Sequence, residues 1–276
     1  MKSFLNNISS IVGDFIPEEY YSIYARASSG KSLYLLEESA NLIAQGATVV
    51  YLNTEAGFQG IYDNWHEKFE QKFNMKFDDV HFKLYKLYTV EELMKFLGNP
   101  ISIQVGKNGK ISTLLEATDE KETGDTLWIH ISHSKNVVFI LDSFSALFRE
   151  DYNTTVTNFS ARADATGFLF KTLKTLMKKT GGFTIMSHHA SIDPMNLYHQ
   201  PDKVRGGSVI SYYSKYMLYL EIPIKGTMKD FRKVYGVRVS GRKDWAQQSW
   251  LKITDDGIFD TTNEEAEEQY NKKKGE

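Results

Sequence analysis

A Gly-Lys-Ser turn between a predicted strand and a predicted helix constrains the fold more than any other feature of this sequence. Residues 20–24 are an apolar run, and residues 32–45 follow with apolar side chains at helical spacing. Residues 25–32 match Gly-x-x-x-x-Gly-Lys-Ser/Thr, with alanine in the first position. Backbone N–H groups of such a loop, at the start of a helix, hold phosphate oxygens. The predicted phosphate cradle consists of Ala25, Arg26, Ala27, Ser28, Ser29, Gly30, Lys31 and Ser32.

Side chains within this cradle have predicted roles. Lys31 is expected to reach the terminal phosphates, and the hydroxyl of Ser32 is expected to bind Mg²⁺. Ala25 is tolerated if it still belongs to the strand, where φ is negative, whereas Gly30 is kept where the backbone must approach the ligand. The alternative is a Ser/Gly turn with a chance lysine, because short patterns also match by accident.

Length and composition exclude several classes of protein. The chain has 276 residues, of which 41% are hydrophobic, enough for one large α/β domain or two small ones. It contains no cysteine, which excludes disulfides and thiolate zinc sites and fits a reducing compartment. No apolar run approaches the ~20 residues of a membrane span. A net charge of −2 excludes a globally basic nucleic-acid binder but allows a local basic channel. We therefore expect a cytoplasmic protein.

Strands and helices alternate along the chain, which predicts an α/β fold with a mostly parallel sheet. After the first unit, the predicted strands lie at 47–52, 80–87, 137–141, 183–186, 217–222, 235–239 and 250–253. The predicted helices lie at 57–73, 89–97 and 160–179. We predict a single domain over residues 1–260, followed by a charged tail at 261–276 that is frayed or disordered.

One segment departs from this alternation. Residues 101–134 alternate around Lys107-Asn108-Gly109-Lys110, which predicts a β-hairpin with a tight Asn-Gly turn. We interpret this segment as an insertion.

Polar side chains follow the predicted strands where each one ends. Because the carboxyl ends of the strands form the ligand crevice of an open α/β sheet, these side chains are expected to converge on Lys31 and Ser32. Asp142 suits a Mg²⁺ contact, partly through bound water. Glu55 can orient or deprotonate an attacking water, and His188 can contact a γ-phosphate. This set predicts a nucleotide-hydrolysing site, apart from one cation that is often supplied in trans.

Each of these residues also has a simpler interpretation. Asp142 can be a helix N-cap, and Glu55 can be a solvated loop residue. His188 and His189 can be ordinary histidines, and such a pair also raises the alternative of a zinc site. The recurrence of polar groups at successive strand ends favours the nucleotide site over these alternatives.

From about residue 20 to residue 260 the chain resembles the RecA/DnaB-type motor ATPases. The cradle is similar to that of DnaB-type helicases, where alanine often takes the first position, and residues 141–143 are similar to the aspartate motif of RecA-type recombinases. The similarity extends furthest to plasmid RepA-type hexameric helicases, whose motifs match residues 51–55, 187–191 and 205–209 in the same order. The resemblance implies a RecA-like P-loop ATPase core: a mostly parallel twisted sheet flanked by helices, with antiparallel C-terminal strands.

The resemblance also implies residue roles. Glu55 would be the catalytic carboxylate, and one histidine of the 188–189 pair would sense the γ-phosphate. Arg205 would be an arginine finger that acts on a neighbouring subunit. Arg242 and Lys243 are second choices for that cation, because residues 237–243 resemble the strand that carries trans-acting basic residues.

In this family, the loops after Asp142 and after His188 contact single-stranded DNA. The corresponding residues here are 148–158 and 190–207. A basic loop with aromatic side chains suits DNA tracking; the alternative is a surface loop whose charges are merely solvated. The predicted DNA-binding residues are Arg149, Tyr198, His199 and Lys203.

Together these implications predict ATP and Mg²⁺ as cofactors, and single-stranded DNA and further copies of the chain as partners, with no membrane partner. The first expectation is a ring-forming replicative helicase of plasmid or phage type, with a hexamer as the expected ring, that hydrolyses ATP at subunit interfaces. The alternative is a RecA-like recombinase or strand-annealing ATPase that forms filaments. A second alternative is an ATP-dependent regulatory switch without translocation.

Overall fold

The structure is a computed structural model. It describes residues 1–55, 57–73, 81–115, 127, 131–152, 158–191, 203–204, 208–223, 230–239 and 248–274. The strands are β1 (Tyr20–Ala25), β2 (Thr48–Asn53), β3 (Phe82–Lys86), β4 (Ile101–Val105), β5 (Ile111–Leu115), β6 (Val137–Asp142), β7 (Phe183–Ser191), β8 (Lys203–Val204), β9 (Tyr216–Glu221), β10 (Phe231–Val239), β11 (Gln248–Thr254) and β12 (Gly257–Thr261). The helices are α1 (Asn6–Val12), α2 (Lys31–Ala44), α3 (Phe58–Phe73), α4 (Val90–Phe96), α5 (Phe144–Asp151), α6 (Phe159–Thr180), α7 (Ser208–Tyr213) and α8 (Asn263–Lys274).

A single large sheet organises the described part of the chain. Its strand order is β12-β11-β10-β9-β1-β7-β6-β2-β3, with β8 paired to β7 off this path. The strands from β9 to β3 in this order are parallel to their neighbours, and β10, β11 and β12 continue the sheet antiparallel. The predicted parallel sheet with antiparallel C-terminal strands is therefore confirmed. No helix in the described ranges combines the length and apolarity needed to cross a membrane.

The central strands are buried on both faces, as parallel strands covered by helices must be. Every residue of β1, β2 and β6 is buried. The register aligns their carboxyl ends, because Ala25 pairs with His189 and Asn53 pairs with Asp142. The polar residues that follow these strands therefore start from one edge of the sheet.

Two stretches predicted as a loop or a frayed tail are helical. Residues 148–151, assigned from the sequence to the first DNA-contacting loop, belong to α5, where Phe148 is buried and stacks on Phe144 with ring centroids 4.6 Å apart. Residues 148–151 are therefore helical and not part of a loop, and residues 153–157 of the predicted loop lie outside the described residues.

The tail expected to be frayed forms α8. Thr262 and Glu265 cap its first turn, each side chain accepting a hydrogen bond of 3.2 Å from the other residue's backbone N–H. Ala266 is fully buried and packs in a small cluster with Phe231. The capping hydrogen bonds and the packing of Ala266 stabilise a helix in a segment whose charged composition had predicted disorder.

The predicted hairpin is confirmed as β4 and β5, but its turn differs from the prediction. Residues 106–110 connect the two strands, and within them only Gly109 has a positive φ, of 74°. A two-residue type I′ turn needs positive φ at both central residues, so the connection is a longer loop. Within the remainder of the insertion, residues 116–126 and 128–130 lie outside the described residues.

A buried carboxyl group fastens the N-terminal segment to α2. Glu38 is fully buried, and its Oε2 accepts hydrogen bonds from Ser3 at 2.5 Å and from Tyr34 at 3.1 Å. The Nδ2 of Asn41 donates to Oε1 at 2.8 Å. Burial raises the pKa of Glu38 to about 7, against the lowering effect of these donors.

This raised pKa predicts a pH-dependent stability. Between pH ~4.5 and ~7 the folded protein holds a proton on Glu38 that the unfolded chain has lost, so the free energy of unfolding should fall as the pH rises through this window, by about 3 kcal/mol. Glu38→Gln should flatten this slope. Urea titrations at several pH values measure it, with Glu264→Gln, an exposed glutamate of α8, as the matched control. An unchanged slope in Glu38→Gln would contradict the assignment.

Candidate active site

The predicted cradle lies between β1 and α2. Ala25 is the last residue of β1 and is buried, while residues 26–28 form an exposed loop tip. Gly30 precedes α2 with a φ of 91°, in the left-handed region. A Cβ at this position would lie 2.4 Å from Cδ1 of Ile253. The backbone conformation therefore favours glycine at residue 30, and any larger residue there would also displace the end of the Ile253 side chain.

Arg232 of β10 donates hydrogen bonds to backbone carbonyl groups of the cradle. Its Nε donates to the carbonyl oxygen of Ser29 at 2.8 Å, and Nη2 donates to that of Ser28 at 3.4 Å. Because the C=O and N–H of a trans peptide point in opposite directions, the N–H groups of Ser29 and Gly30 point away from the guanidinium. Arg232 thus orients cradle amides toward the opposite side, where a phosphate can bind. The sequence contains no signal for this contact, which spans 203 positions.

We expect Arg232→Ala to weaken ATP binding about tenfold, because a charge-assisted hydrogen bond contributes ~1.5–3 kcal/mol and a tenfold change in affinity is ~1.4 kcal/mol. Calorimetric titration with ATP·Mg²⁺ measures the effect. Arg238→Ala is the matched control, since Arg238 is exposed on the same strand. If Arg232→Ala lowers the melting temperature but binds ATP normally, the contact serves the fold alone.

The cradle fits an anionic ligand by its own chemistry. The hydroxyl of Ser29 is buried and has no hydrogen-bond partner in the described part of the chain. Lys31 is also buried, and its Nζ donates to the carbonyl oxygen of Arg26 at 3.3 Å. Burial lowers the pKa of the Lys31 amine, while Asp142 and Glu55 oppose this shift. A buried ammonium beside exposed loop backbone suits a ligand that brings negative charge.

Asp142 is held at the end of β6 by hydroxyl groups. Tyr51 donates to its Oδ2 at 2.8 Å, and Ser187 donates to its Oδ1. Ser32 also hydrogen-bonds to this carboxyl group. Burial, followed by the charge of Glu55, raises the pKa of Asp142. Ser32 and Asp142 are thus brought together, as the predicted Mg²⁺ contact requires. Tyr51 and Ser187 were not predicted to act on this carboxyl group.

Glu55 is placed beside Asp142 by the pairing of β2 with β6. The hydroxyl of Thr54 donates to the carbonyl oxygen of Ser143 at 2.8 Å and accepts from its N–H at 2.9 Å. The Oε1 of Glu55 lies 2.9 Å from Nε2 of His189. This hydrogen bond is the largest effect on Glu55 and lowers its pKa, against burial. The Glu55 carboxylate is therefore held in its basic form near the cradle.

The two histidines of β7 have opposite orientations. Successive side chains of a strand point to opposite faces. Ser187 and His189 bond to Asp142 and Glu55, whereas Nε2 of His188 lies 3.0 Å from the hydroxyl of Ser22. His188 is fully buried there, and burial lowers its pKa to about 3. His189, and not His188, is the histidine beside the carboxylates.

The remaining predicted residues are not brought to the site by the described structure. The backbone of Lys203 belongs to β8 and the backbone of Arg149 belongs to α5, but the side chains of these two residues are not among those described. The other predicted residues lie outside the described residues: Tyr198, His199, Arg205, Arg242 and Lys243.

Comparison with known proteins supports the fold. No protein-family model matches this sequence, and no curated protein matches it. A crystal structure of the RadB recombinase matches with a TM-score of 0.56 and 17% sequence identity, covering 94% of this chain and 98% of that chain. At this identity the match supports the RecA-like fold, and it gives no support to a special closeness to RepA-type helicases. The strand order, the cradle and this match together show that the chain has a RecA-like fold.

Proposed function

We propose that this protein is a Mg²⁺-dependent ATPase that acts on DNA in the manner of a recombinase. The observation that carries the proposal is the meeting of Lys31, Asp142 and Glu55 around the cradle at the carboxyl ends of parallel strands. Ligands bind at this edge in open α/β sheets. A buried cation, a metal-binding carboxyl group and a second carboxylate are the parts that phosphoryl transfer to water needs.

Each residue has a distinct role in this proposal. Backbone amides of the cradle bind the phosphates, and the Lys31 ammonium stabilises negative charge on the terminal ones. Ser32 and Asp142 would hold Mg²⁺, which neutralises charge on the phosphate oxygens when bound. Glu55 orients the attacking water and accepts its proton. His189 keeps the Glu55 carboxylate in position and ionised.

The DNA and assembly parts of the proposal have separate support. The structurally similar protein is named a recombinase, which favours recombination or strand annealing over unwinding. The described site supplies one buried lysine, and a second cation on the γ-phosphate would come from a neighbouring copy. Arg205, Arg242 and Lys243 are proposed for that role, in a homo-oligomer located in the cytoplasm.

Measurements of ATP turnover and of DNA products test this proposal. We expect ATP hydrolysis that requires Mg²⁺ and is stimulated by single-stranded DNA, together with strand exchange or annealing and helical filaments in electron micrographs. Absence of ATP hydrolysis under all conditions would overturn the proposed ATPase activity. A rate of ATP hydrolysis that is unchanged by single-stranded DNA would overturn the proposed action on DNA and favour the ATP-dependent regulatory switch.

A replicative helicase is the second proposed function, favoured by the ordered motif matches at residues 51–55, 187–191 and 205–209. In this case the protein would unwind a forked duplex with ATP and form closed rings. Unwinding without annealing or strand exchange would select it over the recombinase.

A further inference from the structure

The inserted hairpin is fastened to both ends of the loop that joins α5 to α6. The hydroxyls of Thr113 and Tyr152 lie 2.9 Å apart, and Tyr152 immediately follows α5. The backbone N–H of Ile111 donates to Oδ1 of Asn158 at 3.0 Å, and Asn158 immediately precedes α6. Thr113 also donates to the carbonyl oxygen of Ala161 at 3.0 Å. Strand β5 therefore positions both ends of this loop.

The start of α6 lies on the same side of the molecule as the candidate site. Helix α6 leads into the amino end of β7, which is parallel to β6. With 22 residues, the helix is about 33 Å long. Its first turn therefore lies on the side where β6 ends in Asp142. The hairpin lies on the same side, because Ile111 hydrogen-bonds to Asn158 and Thr113 hydrogen-bonds to Ala161, at the start of α6.

The surface formed by the hairpin tip and the start of α6 carries cations and an aromatic ring. Lys107 and Lys110 are exposed at the tip of the hairpin. The backbone of the tip is ordered by the bonds Gly106 N–H to Lys110 O (2.8 Å) and Lys110 N–H to Asn108 Oδ1 (3.1 Å). These bonds define the turn from which both lysine side chains project.

Phe159, in the first turn of α6, is 48% exposed, and the guanidinium of Arg162 lies 5.1 Å from the centre of its ring. Three acidic residues are nearby. Asp151, at the end of α5, accepts a hydrogen bond from the N–H of Val90 at 2.5 Å and acts on Tyr152 by its charge. Asp164 is exposed further along α6, and the carboxylate of Glu91 accepts a hydrogen bond from the N–H of Ile103 at 2.6 Å. These three carboxylates equal the cations Lys107, Lys110 and Arg162 in number, so the cations offered to a phosphate are the two lysines exposed at the hairpin tip.

We propose that this surface is an accessory binding site for single-stranded DNA. Lys107 and Lys110 contact backbone phosphates, and Phe159 stacks on a base, with Arg162 beside the ring. Cationic side chains that follow a phosphate backbone, with aromatic rings that stack on bases, are how proteins bind single strands without sequence preference. The hairpin would thus add a DNA-binding surface at the start of α6. This inference depends on the proposed action on DNA.

The salt dependence of DNA binding tests the two kinds of contact separately. Binding of a fluorescent oligo-dT to the full chain with ATP·Mg²⁺ is measured by anisotropy at several salt concentrations. Each phosphate contact contributes ~0.7 to the slope of log K against log salt for single strands. Lys107→Ala/Lys110→Ala should therefore reduce the magnitude of the slope by about 1.4. Phe159→Ala should weaken binding about tenfold with an unchanged slope, because stacking releases no counterions.

The matched control is Lys178→Ala/Lys179→Ala, which removes two exposed lysines at the far end of α6. It should leave both slope and affinity unchanged, and melting temperatures verify that each variant is folded. If the wild-type chain binds DNA and the hairpin variants behave like this control, the accessory site is refuted while the proposed function stands. If the wild-type chain does not bind single-stranded DNA, the DNA-acting function and the accessory site both fail.

Discussion

Replacing Glu55 by glutamine is expected to lower ATP turnover by about 10²- to 10⁴-fold, the usual contribution of a general base, while leaving ATP binding intact. Glutamine has the shape of glutamate and can still hydrogen-bond to His189, which lies 2.9 Å from Oε1. It cannot accept a proton from water. Steady-state turnover and calorimetric ATP affinity, measured on the same preparation, separate the two effects.

The control for this variant is Glu67→Gln, which changes an exposed glutamate of α3 and should leave turnover unaltered. A Glu55→Gln protein that keeps more than about a tenth of the wild-type turnover would remove Glu55 from the chemistry. Loss of ATP affinity in this variant would instead indicate a binding role.

The hydrogen bond from His189 adds a pH-dependent test of the same assignment. Because this bond lowers the pKa of Glu55, the carboxylate stays ionised to a lower pH than an ordinary glutamate. His189→Ala should therefore shift the acid limb of the turnover–pH profile to higher pH. A limb that does not move would show that Glu55 does not control it.

Replacing Lys31 by alanine is the second change with a large expected effect. It removes the buried ammonium beside the cradle, and loss of one preorganised charge-stabilising group costs about 10²- to 10³-fold in turnover. ATP should also stop stabilising the fold. At a ligand concentration 100 times Kd, binding stabilises a protein by ~2.7 kcal/mol, which is readily seen as a shift in melting temperature.

Lys95→Ala, at an exposed lysine of α4, is the matched control and should retain both turnover and the ATP-induced shift. If Lys31→Ala hydrolysed ATP at the wild-type rate, the cradle at residues 25–32 would not be the nucleotide site, and the proposed function would have to be abandoned.

Much of the fold was predictable because its signals are local. Apolar runs of five or six residues predicted β2 and β6, and both are fully buried. The Gly-Lys-Ser turn predicted where β1 ends and α2 begins. The errors arose where local composition opposed tertiary contacts: charged residues predicted a frayed tail, yet Ala266 packs beside Phe231 and α8 forms.

The candidate site was predictable in its residue types and only partly in its geometry. Lys31, Asp142 and Glu55 come together as their positions after strands had predicted. Strand alternation contained the signal for which histidine lies beside Glu55: if Ser187 faces Asp142, then His189 faces the same side and His188 the other. Recognising this requires knowing that β7 continues to Ser191 and not only to residue 186.

Order along the chain thus determined the succession of strands and helices, the cradle and the set of chemical groups, because these depend on neighbours within a few residues. Only the tertiary structure determines which residues those groups contact. Glu55 meets His189 across 134 positions, Arg232 meets Ser29 across 203, and the hairpin meets α6 through Ile111 and Asn158. Such contacts depend on strand register and on which face of the sheet a side chain occupies, and these are set by how the whole core packs.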